Sequence, residues 1–324
     1  MKFLISLFIV ISLIGCKRKN KPQETTTPFD SISEKASLYL QLGNAIHPNG
    51  SEAGDDCDGL LWNSLWSVTG GNVDIMSYQG ELGQWFRTHH HTCFYRDALG
   101  GPVDNGSKST ISRDMFLGLL HWIWHNQRKD VLQDIINYGR EQNPKWWMGD
   151  AVDFIQRESR THIRTNLRAT MYIMAYKMGI EDNVQRHIDL SLTWSSKVDD
   201  FKLHLSVQHL LLRGLMQGVN DIEVLFLEKV IGKHPTNAFF LSVYHYFTDG
   251  NQTKTVELLL DDSLFPAKKL PTSFDRCERF IYQRNDNRGL PENKNWNPCD
   301  DNKTFMGIDL LWTHAIISGR LRNK

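Results

Sequence analysis

Aspartates beside tryptophans are the residues of this chain whose types and spacing could do chemistry. A pair of carboxyl groups cleaves a glycosidic bond when one is protonated and delivers an acid while the other is ionised and serves as base or nucleophile. Sugar rings in turn stack on flat aromatic side chains. Seven aspartates stand at or near apolar stretches, most of them with tryptophan close by: Asp55, Asp56, Asp58, Asp114, Asp150, Asp153 and Asp309.

Asp114 is the best candidate for the ionised carboxylate. It follows Arg113 at the beginning of an apolar stretch that runs to Trp124, and the hydroxyl-rich segment 109–112 before it is suited to cap a helix. The dipole of a helix favours the charged form of an aspartate at its N-terminus, which suits a base or nucleophile better than an acid. The alternative is structural: a helix-start acid, or an ion pair with Arg113 or Arg96.

The protonated acid is expected to be Asp58 or Asp150, since each lies beside tryptophans. Trp146 and Trp147 lie in a predicted turn and are therefore the better platform for a sugar ring. The tryptophans inside the helix that follows Asp114 are expected to belong to the core.

A long segment, 87–108, comes just before Arg113 and carries Tyr95 and Arg96. Segments of this length in compact domains are usually functional or disordered, and its aromatic residues argue against disorder. We expect Tyr95, Arg96 and Arg113 to contact substrate near the mouth of the site. The three consecutive histidines at 89–91 point in different directions and are poorly placed to bind one metal ion, so no metal and no cofactor is expected.

The first residues carry a separate signal. Positions 1–15 have a basic start and a short apolar core, which predicts a cleaved signal peptide that is too short to span a membrane. The sequence Leu13-Ile14-Gly15-Cys16 resembles the lipobox of bacterial lipoproteins, which implies that Cys16 becomes the lipidated N-terminus. Lys17 is not the aspartate associated with inner-membrane retention, so the outer membrane or cell surface is favoured. An ordinary secretory signal is the alternative.

Domain organisation follows from composition. Residues 16–31 are basic and then rich in Thr, Pro and Gln, which predicts a flexible tether. Residues 32–324 contain no internal linker and are read as one domain. The formal net charge is zero, with scattered Lys and Arg, so the basic surface of a nucleic-acid binder is missing. The expected partners are the membrane, through the lipid, and a polysaccharide or oligosaccharide.

Four cysteines remain once Cys16 is set aside: Cys57, Cys93, Cys277 and Cys299. An even number in an exported chain predicts two disulfides, and the sequence alone allows three pairings. Order along the chain favours Cys57 with Cys93 and Cys277 with Cys299. The CxxC spacing of a zinc site is absent, so a four-cysteine metal site is less favoured.

Apolar periodicity predicts an all-α protein with almost no strands. Three helices share one pattern, an aspartate followed by a wholly apolar run, at Asp58, Asp114 and Asp309. Such helices alternate with amphipathic ones, as two concentric rings would require. The predicted helices cover 32–46, 55–68, 73–86, 109–124, 130–140, 164–178, 182–195, 201–216, 222–231, 238–247, 254–260, 274–282 and 306–317.

This run of hairpins, with acids at the heads of buried helices and tryptophans nearby, resembles the (α/α) toroids of six-hairpin glycosidases and related polysaccharide lyases. The resemblance extends from about residue 32 to the end and implies inner and outer helix rings around a central funnel. Hydrolysis is favoured over elimination from a uronate, because the Tyr and His candidates for elimination lie on one segment only. The competing class is a surface lipoprotein that binds a glycan or a protein without cutting it.

Overall fold

The computed structural model describes residues 28–46, 59–80, 83, 85, 95–96, 102–103, 113–142, 165–180, 200–262, 265 and 308–322. This part of the chain contains ten α-helices, one short 3-10 turn at Ile75–Tyr78, and a two-residue antiparallel ladder of Tyr95–Arg96 (β1) with Pro102–Val103 (β2). The prediction of an all-α protein is confirmed. The helices are α1 (Pro28–Ile46), α2 (Gly59–Val68), α3 (Arg113–His125), α4 (Lys129–Gln142), α5 (Thr165–Lys177), α6 (Asp200–Gln217), α7 (Asp221–Lys233), α8 (Ala238–Phe247), α9 (Thr253–Leu260) and α10 (Ile308–Ile317).

The described helices are of two kinds. Helices α2, α3, α5, α6, α8 and α10 are buried over most of their described side chains; every residue from Met115 to Trp124 is buried, and so is every residue from Ile308 to Ile316. Helices α1, α4, α7 and α9 bury one stripe and leave the other face in solvent. Buried and amphipathic helices alternate from α6 to α10, whereas α2 and α3, and likewise α5 and α6, are consecutive buried helices among the described residues, so the expected alternation is present only in part.

Each helix that is buried on most sides packs against the next such helix along the chain, and the last of them packs against the first. Helix α2 packs against α3, α3 against α5, α5 against α6, α6 against α8, α8 against α10, and α10 again against α2. Helix α3 also touches α6 directly. Each amphipathic helix packs on members of this cycle: α4 on α3 and α5, α7 on α6 and α8, α9 on α8, and α1 on α10.

Contacts at both ends of two helix pairs fix their relative directions. The ring of His204, early in α6, lies 4.8 Å from the ring of Phe239, early in α8. Late in the same helices, Gly214 leaves room for the ring of Phe247, so α6 and α8 are parallel. The α6–α7 turn between them is tight, with Gly218 at φ +81°, a conformation that glycine adopts without steric cost.

Helices α1 and α10 run in opposite directions. Ser33 Oγ, early in α1, lies 3.2 Å from His314 Nε2, late in α10. Tyr39, farther along α1, is close enough to Asp309, at the start of α10, for the aspartate charge to affect the pKa of the tyrosine. The N-terminus of α1 therefore lies beside the C-terminus of α10.

One predicted helix is wrong. Among the described residues of 73–86, the helical part is the single turn Ile75–Tyr78, and Gln79 then pairs with Trp85 as an isolated antiparallel bridge. Gly83 explains the difference, because it has φ +83° and a Cβ there would collide with the backbone of Asp134 in α4. The close approach to α4 selects a glycine turn where apolar spacing alone had favoured a helix.

The remaining predicted helices are recovered with boundaries shifted by a few residues, except those at 182–195 and 274–282, which lie outside the described residues. Within the described residues, none of the helices has both the length and the apolar character that a bilayer crossing requires.

Candidate functional site

The structure describes only the backbone of four predicted site residues. Arg113 and Asp114 are the first two residues of α3, at the helix start that the sequence predicts. Tyr95 and Arg96 form β1, with Tyr95 opposite Val103. The other predicted site residues lie outside the described residues: Asp58, Asp150, Trp146, Trp147, Cys16, Cys57, Cys93, Cys277 and Cys299.

Asp309 is the acid of the sequence pattern whose surroundings the structure describes in full. It is the second residue of α10 and only 6% exposed. Its Oδ1 accepts a hydrogen bond from the backbone N–H of Leu310 at 3.0 Å. Burial raises the pKa of this carboxyl to about 7, against the smaller lowering effect of the backbone N–H groups. Burial therefore favours the protonated form of the Asp309 carboxyl at pH values where an ordinary aspartate is ionised.

Tyr39 of α1 is the titratable neighbour of Asp309. Its ring is buried, and burial followed by the charges of Asp309 and Asp262 raises its pKa above the ordinary range. The phenol stays protonated over the whole physiological range of pH. Tyr39 therefore contributes a neutral hydroxyl, and not a charge, to the surroundings of Asp309.

A neutral polar network fills the space where α3, α6 and α10 meet. Trp312 donates its indole N–H to Gln208 Oε1 at 3.1 Å. His121 Nε2 lies 3.1 Å from the backbone oxygen of Gln208, and since a carbonyl only accepts, this nitrogen carries the proton. The His121 ring meets the Trp312 ring edge to face, with centroids 5.1 Å apart. Three helices are thereby joined by side chains that bear no charge.

His121 and His314 are buried histidines with a lowered affinity for protons. Burial lowers the pKa of His121 to about 3, although the Gln208 carbonyl opposes the shift. Burial also lowers the pKa of His314 to about 4, and the charge of Arg320 adds to the effect. His209 shares a hydrogen bond with the Thr170 hydroxyl, which ties α6 to α5. His121 is thus a hydrogen-bonded histidine of the core.

A charged pair lies at the α6–α7 corner. The Arg213 guanidinium is bound to the carboxylate of Glu223, which is 1% exposed. Glu223 Oε2 also accepts from the backbone N–H of Asn220, and the Asn220 side chain accepts from the backbone N–H of Glu223, which completes a capping box at the start of α7.

Sequence reasoning included Asp309 among the acids but did not select it, and it missed Tyr39 and Gln208. An aspartate directly before a fully apolar run was the available signal for Asp309. For Tyr39 and Gln208 the sequence holds no signal, because their partners are 87 to 270 positions away along the chain. Among the described residues, no group of three or more His, Cys, Asp or Glu side chains comes together as a metal site would require.

The described geometry thus offers one carboxyl that is poised to donate a proton near pH 7, beside an uncharged interior. Protonation at that pH is the property that a general acid needs. No family model matches the chain, and no match was found among curated proteins or among solved structures.

Proposed function

We propose that the chain is an exported lipoprotein, anchored through Cys16 at the outer membrane or cell surface, that hydrolyses a polysaccharide. The single observation that carries the enzymatic part is Asp309, a buried carboxyl with a pKa of about 7 at the head of a wholly buried helix. Keeping such a group out of water without a partner cation costs stability, and groups of this kind cluster at functional sites.

A toroid of six helical hairpins is the architecture that we propose around this site. Its support is the closed order of contacts through α2, α3, α5, α6, α8 and α10, with α1, α4, α7 and α9 packed on that cycle. Six buried helices are the number that a six-hairpin toroid contains in its inner ring. In such a ring the loops between outer and inner helices would carry the substrate groove.

The roles of the residues follow from their environments. Asp309 joins Asp58 and Asp150 as a candidate general acid, and its raised pKa suits that role. Asp114, the second residue of α3, is the candidate base or nucleophile. Trp146 and Trp147 would hold a sugar ring, and Tyr95, Arg96 and Arg113 would contact its polar groups.

A second function, binding a glycan or protein without cleavage, is favoured by a different observation. The hydrogen bonds among His121, Gln208 and Trp312 fill the region where α3, α6 and α10 meet. Because these bonds are made within the protein, the ring nitrogen His121 Nε2, the side-chain oxygen of Gln208 and the indole N–H of Trp312 are not available to a substrate. A groove confined to the loops would then suit a binding protein as well as an enzyme.

The deciding experiment is a screen of the mature protein against a panel of polysaccharides, read both as new reducing ends and as ultraviolet absorbance. Reducing ends without absorbance indicate hydrolysis, and both signals together indicate elimination. Binding without either signal would establish the non-catalytic alternative and contradict the enzyme.

Variants then test the roles. Asp309→Asn and Asp114→Asn should each lower turnover by roughly 10²-fold or more, because a positioned acid or base typically contributes that much. The matched control is Asp221→Asn, an exposed aspartate at the start of α7, which should keep full turnover. If the Asp309→Asn protein is folded and cuts as fast as the control, Asp309 is not the acid.

The lipid anchor has its own test. Metabolic labelling with a palmitate analogue should mark the wild-type protein and leave Cys16→Ser unlabelled. An unlabelled wild type would refute the anchor without bearing on catalysis.

The two proposed disulfides are tested by thiol titration of the denatured, unreduced mature protein. Four free thiols would refute both the Cys57–Cys93 and the Cys277–Cys299 pairing.

A further inference from the structure

One end of the described helices is defined by contacts among several helix termini. The N-terminus of α1 lies beside the C-terminus of α10, as the Ser33–His314 contact requires. Arg322, which follows α10, places its guanidinium 5.1 Å from the ring of Tyr246 in the last turn of α8. Phe247, the last residue of α8, packs against Gly214 near the end of α6. We call this end the tether end, because the described chain begins there.

The α7 helix also begins at the tether end. Only three residues, 218–220, separate it from the last residue of α6. Ile222 and Leu225 lie one turn apart on α7 and are 72% and 52% exposed. Phe29, in the first turn of α1, is 48% exposed. Three of the five large apolar side chains that are exposed in the described part of the chain thus belong to this one end.

From this juxtaposition we propose that the tether end rests on the lipid bilayer, with Ile222, Leu225 and Phe29 inserted among the lipid headgroups. The inference rests on the lipid anchor of the proposed function. Phe29 is thirteen residues after Cys16, so even a fully extended tether keeps it within about 45 Å of the membrane. A flexible tether is usually much shorter than its full extension, which brings this end of the molecule, rather than another, against the surface.

The physical chemistry of the tether end suits a bilayer interface. Isolated apolar side chains on a helix terminus partition into the boundary between headgroups and acyl chains, with a gain that grows with the apolar area buried. Arg320 and Arg322 are exposed at the same end and can bind anionic headgroups. The basic residues directly after Cys16, at positions 17, 18, 19 and 21, would lie against the same surface.

The orientation also separates the anchor from the acid. Asp309 lies at the opposite end of α10, since Ser33 contacts the C-terminal half of that helix and Tyr39 the N-terminal end. With the C-terminus of α10 facing the bilayer, the N-terminus of α10, which carries Asp309, faces away from the lipid. A large polysaccharide could reach Asp309 from that side.

The test uses the full-length lipidated protein, reconstituted in vesicles of phosphatidylethanolamine and phosphatidylglycerol that contain a radiolabelled phospholipid. The photoreactive residue benzoylphenylalanine is introduced at position 222 or 225. The matched control carries it at position 38, where the exposed Leu38 lies in the middle of α1, away from the tether end. We expect at least threefold more lipid crosslinked at 222 and 225 than at 38.

Each outcome decides one question. Equal labelling at the three positions of a vesicle-bound protein overturns the orientation and leaves the anchor intact. A protein that does not float with the vesicles refutes the anchor and, with it, this inference. A crosslinked dimer at 222 or 225 in place of lipid adducts would show that the apolar residues cover a second copy of the chain, which also overturns the proposal.

Discussion

Glu223 and Asp309 are two buried carboxyl groups in the first turns of their helices, and their environments differ in one respect. Glu223 is 1% exposed and Asp309 is 6% exposed. Each accepts a hydrogen bond from a backbone N–H, that of Asn220 for Glu223 and that of Leu310 for Asp309. Glu223 has a guanidinium bound to it, from Arg213, whereas no cation among the described residues contributes to the pKa shift of Asp309.

The difference shows what a buried carboxyl does with and without a cation. With Arg213 in place, ionised Glu223 ties α7 to α6 and has no proton to give. Without a cation, Asp309 shifts its pKa to about 7 and becomes a group that exchanges protons at neutral pH. Similar burial therefore produces a structural ion pair at one helix start and a candidate acid at the other.

The largest effect is expected when the cation is removed from Glu223. Arg213→Met should lower the free energy of unfolding by about 3 to 5 kcal/mol, because it leaves a buried charge without compensation. Urea denaturation at pH 7 measures it. Adding Glu223→Gln should restore part of the loss, whereas Lys254→Met, which breaks the exposed Lys254–Glu257 pair, should change stability by less than about 1 kcal/mol. If Arg213→Met had the same free energy of unfolding as the wild type, Glu223 would not depend on its cation, and the contrast with Asp309 would be wrong.

The pH dependence of stability tests the other carboxyl. The pKa of Asp309 is raised from 3.8 to about 7 by folding, so the folded state holds the proton more tightly than the unfolded state. Below about pH 4 the carboxyl is protonated in both states and does not change the free energy of unfolding. As the pH rises from about 4 to 7, the free energy of unfolding falls by an amount on the order of 4 kcal/mol. Asp309→Asn should remove this loss and become the more stable protein at pH 8. Unfolding curves of equal pH dependence for the two proteins would contradict the raised pKa.

A smaller effect is expected from the neutral network. Trp312→Phe removes the N–H that Gln208 Oε1 accepts and leaves that buried oxygen without its donor. The expected cost is about 1 to 3 kcal/mol in the free energy of unfolding, measured by urea denaturation. Trp66→Phe is the comparison, since its indole N–H makes a longer bond of 3.4 Å to Asn44. If Trp312→Phe lost less stability than Trp66→Phe, the hydrogen bond from Trp312 to Gln208 would not be an important source of stability in this interior.

The smallest effect concerns the helix cap that holds Glu223. Asn220→Ala removes the side-chain oxygen that accepts a hydrogen bond from the backbone N–H of Glu223. The backbone N–H of residue 220, which donates a hydrogen bond to the Glu223 carboxylate, is kept. Stability should fall by about 1 kcal/mol. A loss as large as that of Arg213→Met would show that the cap, and not the cation, holds Glu223 in place.

Much of the fold could be predicted from the sequence. Helix α8 was predicted with its observed bounds, 238–247, and most other helices within a few residues. The helices expected to be wholly apolar after Asp58, Asp114 and Asp309 are buried in the structure, because the distribution of apolar residues around a helix depends on local spacing. The error at 73–86 arose where Gly83 meets the backbone of α4, a contact that local spacing does not contain.

The candidate site was predictable only in part. The sequence by itself determined that acids stand at the heads of buried helices, because an aspartate followed by an apolar run is a local pattern. It did not determine which of two similar carboxyl groups keeps its proton. That depended on whether a cation from another helix came within reach, and only the tertiary structure decided that Arg213 pairs with Glu223 while Asp309 has Tyr39 as its neighbour. The physical reason is that a pKa depends on burial and on charges in space, and neither is a property of neighbouring positions in a chain.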